Sequence, residues 1–317
     1  MIGYCSFRIT QINGLHHVTS LASGAQTNSD FFTKVLGLRR VKKTVNFDHP
    51  KVYHLYYGDE HGSPGTVMTY FPFPGKAPGR PGTGEVSTTA FAVPKGSLPF
   101  WQARLAQHGV AGIALDTRMG QGRLLFQGPD GDGFALTETN DDRQPWEADG
   151  IPEDVAIRGF QSAEMRLDPH AAAAGAELLR FMGYEQTDKT AGITRFHVPG
   201  GNAANVIDIT EVEAEKANQG AGSVHHIAFS VDDRAAQLEV RKALLDTGYR
   251  VTPVIDRDYF WAIYFRAPGG VLFEVATNEP GFDRDEDIAH LGQALKLPSQ
   301  HAHLRAELEN LLEPITD

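Results

Sequence analysis

One structural pattern occurs four times along this 317-residue chain, and internal repeats of this kind strongly constrain the fold. Each copy starts with a short apolar strand, passes through a turn into an amphipathic helix, ends the helix at a glycine and adds further strands. The distances from strand start to glycine are 20, 21, 21 and 22 residues. They run from His17 to Gly37, Thr88 to Gly109, Ser162 to Gly183 and His226 to Gly248. Because a residue without a Cβ atom is favoured at a left-handed helix C-cap, the pattern predicts four βαβββ units.

A βαβββ unit has too few strands to close on itself, so we expect units to pair and to curl their sheets around a shared cup. The predicted fold class is α+β, with four βαβββ modules in two paired cup-shaped mixed sheets and a C-terminal helical tail. The predicted modules cover residues 10–80, 81–150, 151–215 and 216–282, and the tail covers residues 283–317.

Strong metal ligands occupy equivalent positions in only two of these modules. The first-strand and last-strand positions hold, in chain order, His17, Thr88, Ser162 and His226, and then Ala135, Asp208 and Glu274 for modules two to four. Two histidines and one carboxylate form the facial ligand set of non-haem Fe(II) enzymes. We therefore predict that His17, His226 and Glu274 bind one metal ion. This requires modules one and four to pair, which leaves modules two and three as the second pair.

Each predicted histidine ligand directly follows another histidine. Adjacent side chains of a regular strand point to opposite faces, so only the second histidine of each pair should bind the metal unless a bulge intervenes. His49 and His54, in an insertion of module one, are rival candidates, and a structural role or a substrate contact is preferred for them. Asp208 has no neighbouring histidine and is interpreted as a polar edge residue.

Composition and charge narrow the classes of partner. The net charge is −11 and no basic cluster stands out, which gives little support for nucleic-acid binding. Cys5 is the only cysteine, so neither an intrachain disulfide nor a Cys-rich zinc site is expected. The first residues lack the pattern of a signal peptide, and no stretch approaches the ~20 apolar residues of a membrane span. A soluble cytoplasmic protein without membrane partners is therefore expected.

Several segments together resemble the vicinal oxygen chelate (glyoxalase/bleomycin resistance/dioxygenase) superfamily. The combination of G-L-H-H-V-T, F-F-T-K-V-L-G-L-R, S-V-H-H-I-A-F and G-G-V-L-F-E-V-A-T is most similar to the ring-cleaving dioxygenases that act on hydroquinones. The resemblance implies Fe(II), or another divalent metal such as Mn, Zn or Ni, at the three predicted ligands. It also implies pocket roles for His16, Thr19, His225, Arg257 and Tyr264. Without the resemblance, Arg257 would be interpreted as a solvated arginine and Tyr264 as a packed aromatic residue.

The reaction that this resemblance implies is an extradiol-type opening of a hydroquinone or catechol-like ring by O2. His16 or His225 would accept the substrate proton near neutral pH, Arg257 would stabilise anionic oxygen and Tyr264 would orient the substrate. Two alternatives stay open: a glyoxalase-type lyase or isomerase, which typically needs a second acidic ligand, and a non-enzymatic protein that sequesters an aromatic compound. The partners that the resemblance implies are a small aromatic substrate and O2, with a homo-oligomer as a further option.

Overall fold

The computed structural model describes residues 8–190 and 192–316, so Cys5 lies outside the described residues. Within these ranges the chain forms sixteen strands, which are β1 Leu15–Ala22, β2 Arg39–Val45, β3 Tyr53–Gly58, β4 Val67–Pro72, β5 Glu85–Pro94, β6 Ala114–Arg118, β7 Gln121–Gln127, β8 Gly133–Thr139, β9 Gly159–Leu167, β10 Glu185–Thr190, β11 Ile193–His197, β12 Val206–Glu211, β13 Val224–Val231, β14 Ile255–Asp256, β15 Phe260–Arg266 and β16 Leu272–Pro280.

The helices of the described ranges are short. The α-helices are α1 Ala25–Asp30, α2 Leu98–Gln107, α3 Pro169–Phe181, α4 Arg234–Asp246 and α5 Arg305–Leu311. A π-helical turn and four 3₁₀ turns add Phe31–Val35, Pro268–Gly270, Phe282–Arg284, Ile288–His290 and Ser299–Leu304. Among the described residues, no helix combines the length and the apolar character needed to cross a membrane.

The strands form two mixed sheets of eight strands each. The first has the order β14-β15-β16-β13-β1-β4-β3-β2 and joins residues 15–72 to residues 224–280. The second has the order β10-β11-β12-β9-β5-β8-β7-β6 and joins residues 85–139 to residues 159–211. In each sheet the two central strands are antiparallel to each other and parallel to their outer neighbours. The predicted α+β class with two paired mixed sheets is confirmed.

The four predicted glycine caps are present in the structure. The glycines at the ends of the helical segments, Gly37, Gly109, Gly183 and Gly248, have positive φ angles of 68°, 68°, 92° and 91°.

Aromatic packing joins the two sheets. The Phe32 ring stacks on Tyr57 of the first sheet, with ring centres 4.9 Å apart, and contacts Phe134 of the second sheet, with ring centres 5.9 Å apart. Apolar packing therefore continues from one sheet to the other and holds the two together.

A β-bulge occurs at the same two places in both central strand pairs. Between β1 and β13 the register shifts so that His16 and His225 fall outside the pairing. Between β5 and β9 the equivalent shifts leave Ser87 and Gln161 outside the pairing. Because a bulge redirects side chains, consecutive residues at these places no longer have to point to opposite faces.

The C-terminal tail, which the sequence predicts to be helical, contains 3₁₀ turns and irregular segments before α5. It runs along edge strand β2, where Leu295 forms an isolated bridge with Lys43. Lys42, whose side chain is fully buried, places its Nζ 2.7 Å from Asp285 and 2.5 Å from Glu286. The tail is thus fixed to the first sheet by a buried ionic contact as well as by backbone pairing.

Candidate metal centre and cavity

Three neighbouring strands of the first sheet bring the three predicted metal ligands together. His17 lies on β1, His226 on β13 and Glu274 on β16. The Nε2 atom of His17 is 3.2 Å from Nε2 of His226 and 3.4 Å from Oε2 of Glu274. His226 Nε2 is 2.8 Å from the same oxygen. All three side chains are buried, and they form a group that could hold a metal ion.

The spacing of these atoms fits one metal ion. Two ligand atoms that are each ~2.1 Å from an ion and at a right angle to each other lie ~3 Å apart. The observed distances of 2.8, 3.2 and 3.4 Å surround that value. Neither oxygen of Glu274 receives a well-formed hydrogen bond, although two imidazole nitrogens are near. A buried carboxylate in this state is costly unless a cation compensates it, so the residues fit a divalent metal.

Electrostatics favour the ligating forms of Glu274 and His226. Burial alone would raise the pKa of Glu274, but attraction to His17 and His226 outweighs burial and holds that pKa well below its usual range. Burial is the largest influence on His226 and lowers the pKa of its imidazole. An ionised carboxylate and neutral imidazoles are the forms that bind metal ions.

The first histidine of each pair lies beside the second instead of on the opposite face. The bulges place Nδ1 of His16 2.9 Å from Nδ1 of His17, and Nδ1 of His225 2.7 Å from Nδ1 of His226. An imidazole that binds a metal through Nε2 carries its proton on Nδ1. His17 and His226 would therefore donate, and His16 and His225 would accept, which fixes the tautomer and the ring orientation of both ligands.

Both first histidines have lowered pKa values. Burial, followed by the neighbouring histidine, lowers the pKa of both His16 and His225 to about 3. A pKa in that range disfavours proton acceptance near neutral pH. His225 does line the cavity beside the ligands, whereas His16 is not among the lining residues.

A cavity of about 420 Å³ opens next to the three ligands. Its apolar wall consists mainly of aromatic rings, contributed by Phe47, Phe71, Phe73 and Phe260. Its polar lining includes Asn46, Asp48, His49, His54, Tyr56, Lys76, Gln219, His225, Arg257 and Tyr264. The volume falls in the usual range for small-molecule sites, and the aromatic wall suits a flat ring.

Arg257 and Tyr264 face this cavity as a connected pair. Arg257 Nε donates to the Tyr264 hydroxyl at 3.2 Å, and the guanidinium lies 5.2 Å from the centre of the Phe47 ring. Burial and then Glu274 raise the pKa of Tyr264 well above its usual value, so the phenol stays protonated. Burial would lower the pKa of Arg257, but Tyr264 and Glu274 outweigh it and raise that pKa. The pair thus offers one fixed cation and one neutral hydroxyl.

Thr19 and His54 belong to one buried chain of hydrogen bonds. Thr69 Oγ1 lies 2.9 Å from Thr19 Oγ1 and 2.9 Å from His54 Nε2, and the Tyr56 hydroxyl lies 2.8 Å from His54 Nδ1. His54 and Tyr56 line the cavity, whereas Thr19 and Thr69 do not. His49 also lines the cavity, and neither His49 nor His54 joins the ligand group.

Sequence reasoning missed several lining residues. Tyr56 was detectable, because residues 54 and 56 of one strand must share a face. Phe47, Phe260 and Gln219 lie in or near loops, where no periodicity indicates which side chains point inward. The cavity is therefore lined both by strand residues, whose direction can be predicted from alternation, and by loop residues, whose direction cannot.

The sequence matches the family described as the glyoxalase/bleomycin resistance protein/dioxygenase superfamily over residues 14–136 and 161–275. These ranges include all three candidate ligands. The chain therefore belongs to this superfamily.

Similar proteins of nearly equal length carry dioxygenase names. The chain is 40% identical over 302 residues to the "Putative ring-cleaving dioxygenase MhqO" of Bacillus subtilis, which covers 95% of this chain and 96% of that protein. It is 37% identical over 313 residues to the "Chlorohydroquinone/hydroquinone 1,2-dioxygenase" of Sphingobium indicum, covering 94% and 95% of the two chains.

Solved structures show the same fold. The crystal structure of a "putative dioxygenase" from Bacillus subtilis superposes with a TM-score of 0.92 at 40% identity, covering 96% of this chain and 98% of that one. Glyoxalase I from Zea mays superposes with a TM-score of 0.61 at 14% identity, covering 84% and 92%. At that identity, the maize structure shows a shared fold and nothing about the reaction.

Proposed function

We propose that the protein is an Fe(II)-dependent, extradiol-type ring-cleaving dioxygenase that acts on a hydroquinone or a catechol-like aromatic. The observation that carries this proposal is the group of His17, His226 and Glu274, with ligand atoms 2.8 to 3.4 Å apart, beside an aromatic-lined cavity. The relatives at 37% and 40% identity, which are named as ring-cleaving or hydroquinone dioxygenases, support it.

His17, His226 and Glu274 would hold Fe(II), which when bound supplies the one-electron chemistry that lets a phenolate react with O2. The carboxylate gives the ligand set a single negative charge. His16 and His225 would keep the two imidazoles in the ligating tautomer by accepting their Nδ1 protons as hydrogen bonds. His225 would then carry its own proton on Nε2, and we assign it to orienting an oxygen atom in the cavity.

Arg257 and Tyr264 would act on the oxygen atoms of the substrate. The guanidinium would supply a permanent positive charge that stabilises an anionic oxygen beside it. The Tyr264 hydroxyl accepts a hydrogen bond from Arg257 and stays protonated, so it would orient the substrate as a neutral hydrogen-bonding group. Phe47, Phe71 and Phe260 would enclose the aromatic ring and exclude water from it.

The glyoxalase-type alternative has less support from the ligand set. The group that could hold a metal among the described residues contains one acid, Glu274. In module one the strand register equivalent to Glu274 is occupied by Thr69, which is not an acid. Turnover of a thiol adduct with Zn or Ni in the absence of O2 would favour the lyase or isomerase. Tight binding of an aromatic compound by metal-free protein, without turnover, would favour a binding protein.

Oxygen uptake tests the proposed function. Protein that is purified without air and loaded with Fe(II) should consume one O2 per molecule of a substituted hydroquinone or catechol. With ¹⁸O2, mass spectrometry should find both oxygen atoms in a ring-opened acid. The matched control is His226→Ala, which should consume no oxygen. Lack of uptake with every substituted hydroquinone and catechol would refute the proposal.

A further inference from the structure

We propose that the tail segment Ser299–His301 is a positioning element of the cavity, which fixes Arg257 from two sides. The proposal rests on the proposed function for the role of Arg257, and on contacts between the tail and two cavity loops for the positioning. One loop contains Arg257 and Asp258, and the opposite loop contains Phe47 and Asp48. Ser299 makes hydrogen bonds to the first loop, and Gln300 and His301 make hydrogen bonds to the second.

The first side of the contact is Asp258, which directly follows Arg257. Asp258 has a φ of 62°, a left-handed conformation that is uncommon for a residue with a Cβ atom. Its carboxylate accepts from the backbone N–H of Ser299 at 3.0 Å and from the Ser299 hydroxyl at 3.2 Å. Arg284, at the start of the tail, donates to the Asp258 backbone oxygen at 2.5 Å. These bonds hold an unfavourable backbone conformation and so fix where the Arg257 side chain leaves the loop.

The second side of the contact is the carbonyl oxygen of Phe47. His301 Nε2 lies 2.7 Å from this oxygen and Gln300 Nε2 lies 3.2 Å from it. The Phe47 ring packs against the Arg257 guanidinium at 5.2 Å. The next residue, Asp48, places a carboxylate oxygen 3.6 Å from Arg257 Nη1. The tail therefore also holds the wall against which Arg257 rests.

The tail itself is firmly attached before it reaches these loops. The buried Lys42 pairs with Asp285 and Glu286, and the Tyr259 hydroxyl donates to Asp285 at 3.0 Å. A Cβ atom at Gly292 would lie 1.9 Å from the Arg40 carbonyl oxygen, so the tail packs directly on the backbone of β2. Because the tail is attached to the first sheet at these points, Ser299 is held in a fixed position.

The benefit of this arrangement is the ordering of a flexible side chain. Arginine has many rotamers, and holding it in place before the substrate binds removes an ordering cost from binding and catalysis. Tyr264 fixes the guanidinium itself, and the tail fixes the two loops that carry and support it. Loss of the tail contacts should therefore weaken the action of Arg257 without removing its charge.

The test is Ser299→Pro, with the kinetics of the wild type and of Arg257→Ala as references. Ser299 is the first residue of a 3₁₀ turn, where proline is compatible with the backbone, and proline removes the N–H and the hydroxyl together. We expect kcat/KM to fall about 10-fold, the scale of one side chain that loses its ordering. Arg257→Ala should reduce it about 100-fold. In the Arg257→Ala background, Ser299→Pro should have no further effect, because the positioned group is already absent.

A second readout does not depend on activity. Hydrogen exchange should become faster at residues 46–49 and 256–259 in Ser299→Pro, and stay unchanged in strands β1 and β13. Ser299→Ala, which keeps the backbone donor, should give a smaller change of the same kind. The matched control is Asn310→Ala in α5 of the same tail, where an exposed amide bonds only within its helix and neither readout should change.

Two results would overturn the proposal. One is an equal loss of kcat/KM from Ser299→Pro in the wild-type and Arg257→Ala backgrounds, which would show a general structural effect. The other is unchanged exchange at both loops. Failure of the proposed function is recognised separately, because wild-type protein would then lack oxygen uptake while hydrogen exchange still reports whether the tail orders the two loops.

Discussion

At the centre of the first sheet, His17, His226 and Glu274 converge on one point, whereas the equivalent positions of the second sheet hold Thr88, Ser162 and Asp208. The backbones around these positions correspond closely. Both central strand pairs carry two bulges, and the last strands pair in the same register, with Thr69, Ala135, Asp208 and Glu274 at equivalent places. The difference between the two centres therefore lies in the side chains.

The second centre is filled by arginines. Arg195 donates two hydrogen bonds to Asp208, both at 2.8 Å, and Arg118 pairs with Glu164 and lies 3.6 Å from Asp208. Interpretation of Asp208 as a polar edge residue is wrong, because β12 lies between β11 and β9 and the side chain is 1% exposed. A guanidinium here compensates the buried acid that corresponds to Glu274. One framework can thus carry a candidate metal site or an ion-pair network, and the side chains decide which.

Removal of the acid in the first sheet should have the largest effect on metal binding. Glu274→Ala deletes the only carboxylate of the ligand group. We expect metal affinity to fall by more than ~100-fold, since loss of a residue that merely supports a ligand already costs ~10–100-fold. Metal analysis after anaerobic Fe(II) loading measures this. The equivalent change in the second sheet, Asp208→Ala, should leave the metal content unchanged, and a loss of metal in that variant would contradict the separation of the two centres.

Removal of the acid in the second sheet should instead reduce stability. Asp208→Ala leaves the buried Arg195 without its ion-pair partner, which is expected to lower the free energy of unfolding by about 3–5 kcal/mol. Urea unfolding followed by circular dichroism measures the change. Glu215→Ala, which breaks an exposed ion pair with Arg80, is the control and should change stability by less than about 1 kcal/mol. A similar small effect from Asp208→Ala would show that the network is not needed for the fold.

The bulge residues should give the smallest difference between the sheets. His16→Ala removes the acceptor at Nδ1 of His17, so metal affinity should fall ~10–100-fold while binding is retained. Ser87→Ala at the equivalent bulge of the second sheet should not affect the metal. Competition with a chelator of known affinity gives both values. Unchanged affinity in His16→Ala would mean that the ligand tautomer does not depend on the first histidine.

The framework and the convergence of the three candidate ligands could be predicted from the sequence because both follow periodic signals. The glycine caps repeat at nearly constant distance, and the equivalent strand positions of His17 and His226 follow from that repeat. The strand order then places the first and fourth repeats in one sheet, as required for these two histidines to meet. The position of a residue along its own strand is a local property, so it can be predicted from sequence spacing.

Other parts of the site could not be predicted because they depend on local irregularity or on contacts between distant loops. The bulge at His16 turns its ring toward His17, and no residue type in L-H-H-V-T-S-L indicates a bulge. The contact of Ser299 with Asp258 joins residues 41 positions apart in non-periodic segments. The pairing of Arg195 with Asp208 could not be predicted, because the pairing of two charges across adjacent strands depends on the register between those strands.

An anomalous difference map measured at the iron edge would test the central claim most directly, using crystals of Fe(II)-loaded protein grown without air. The account predicts one peak per chain, ~2.0–2.2 Å from Nε2 of His17, Nε2 of His226 and a carboxylate oxygen of Glu274. No peak is expected beside Asp208 and Glu164. A peak at the second centre, or none at the first in protein that contains stoichiometric iron, would contradict the account.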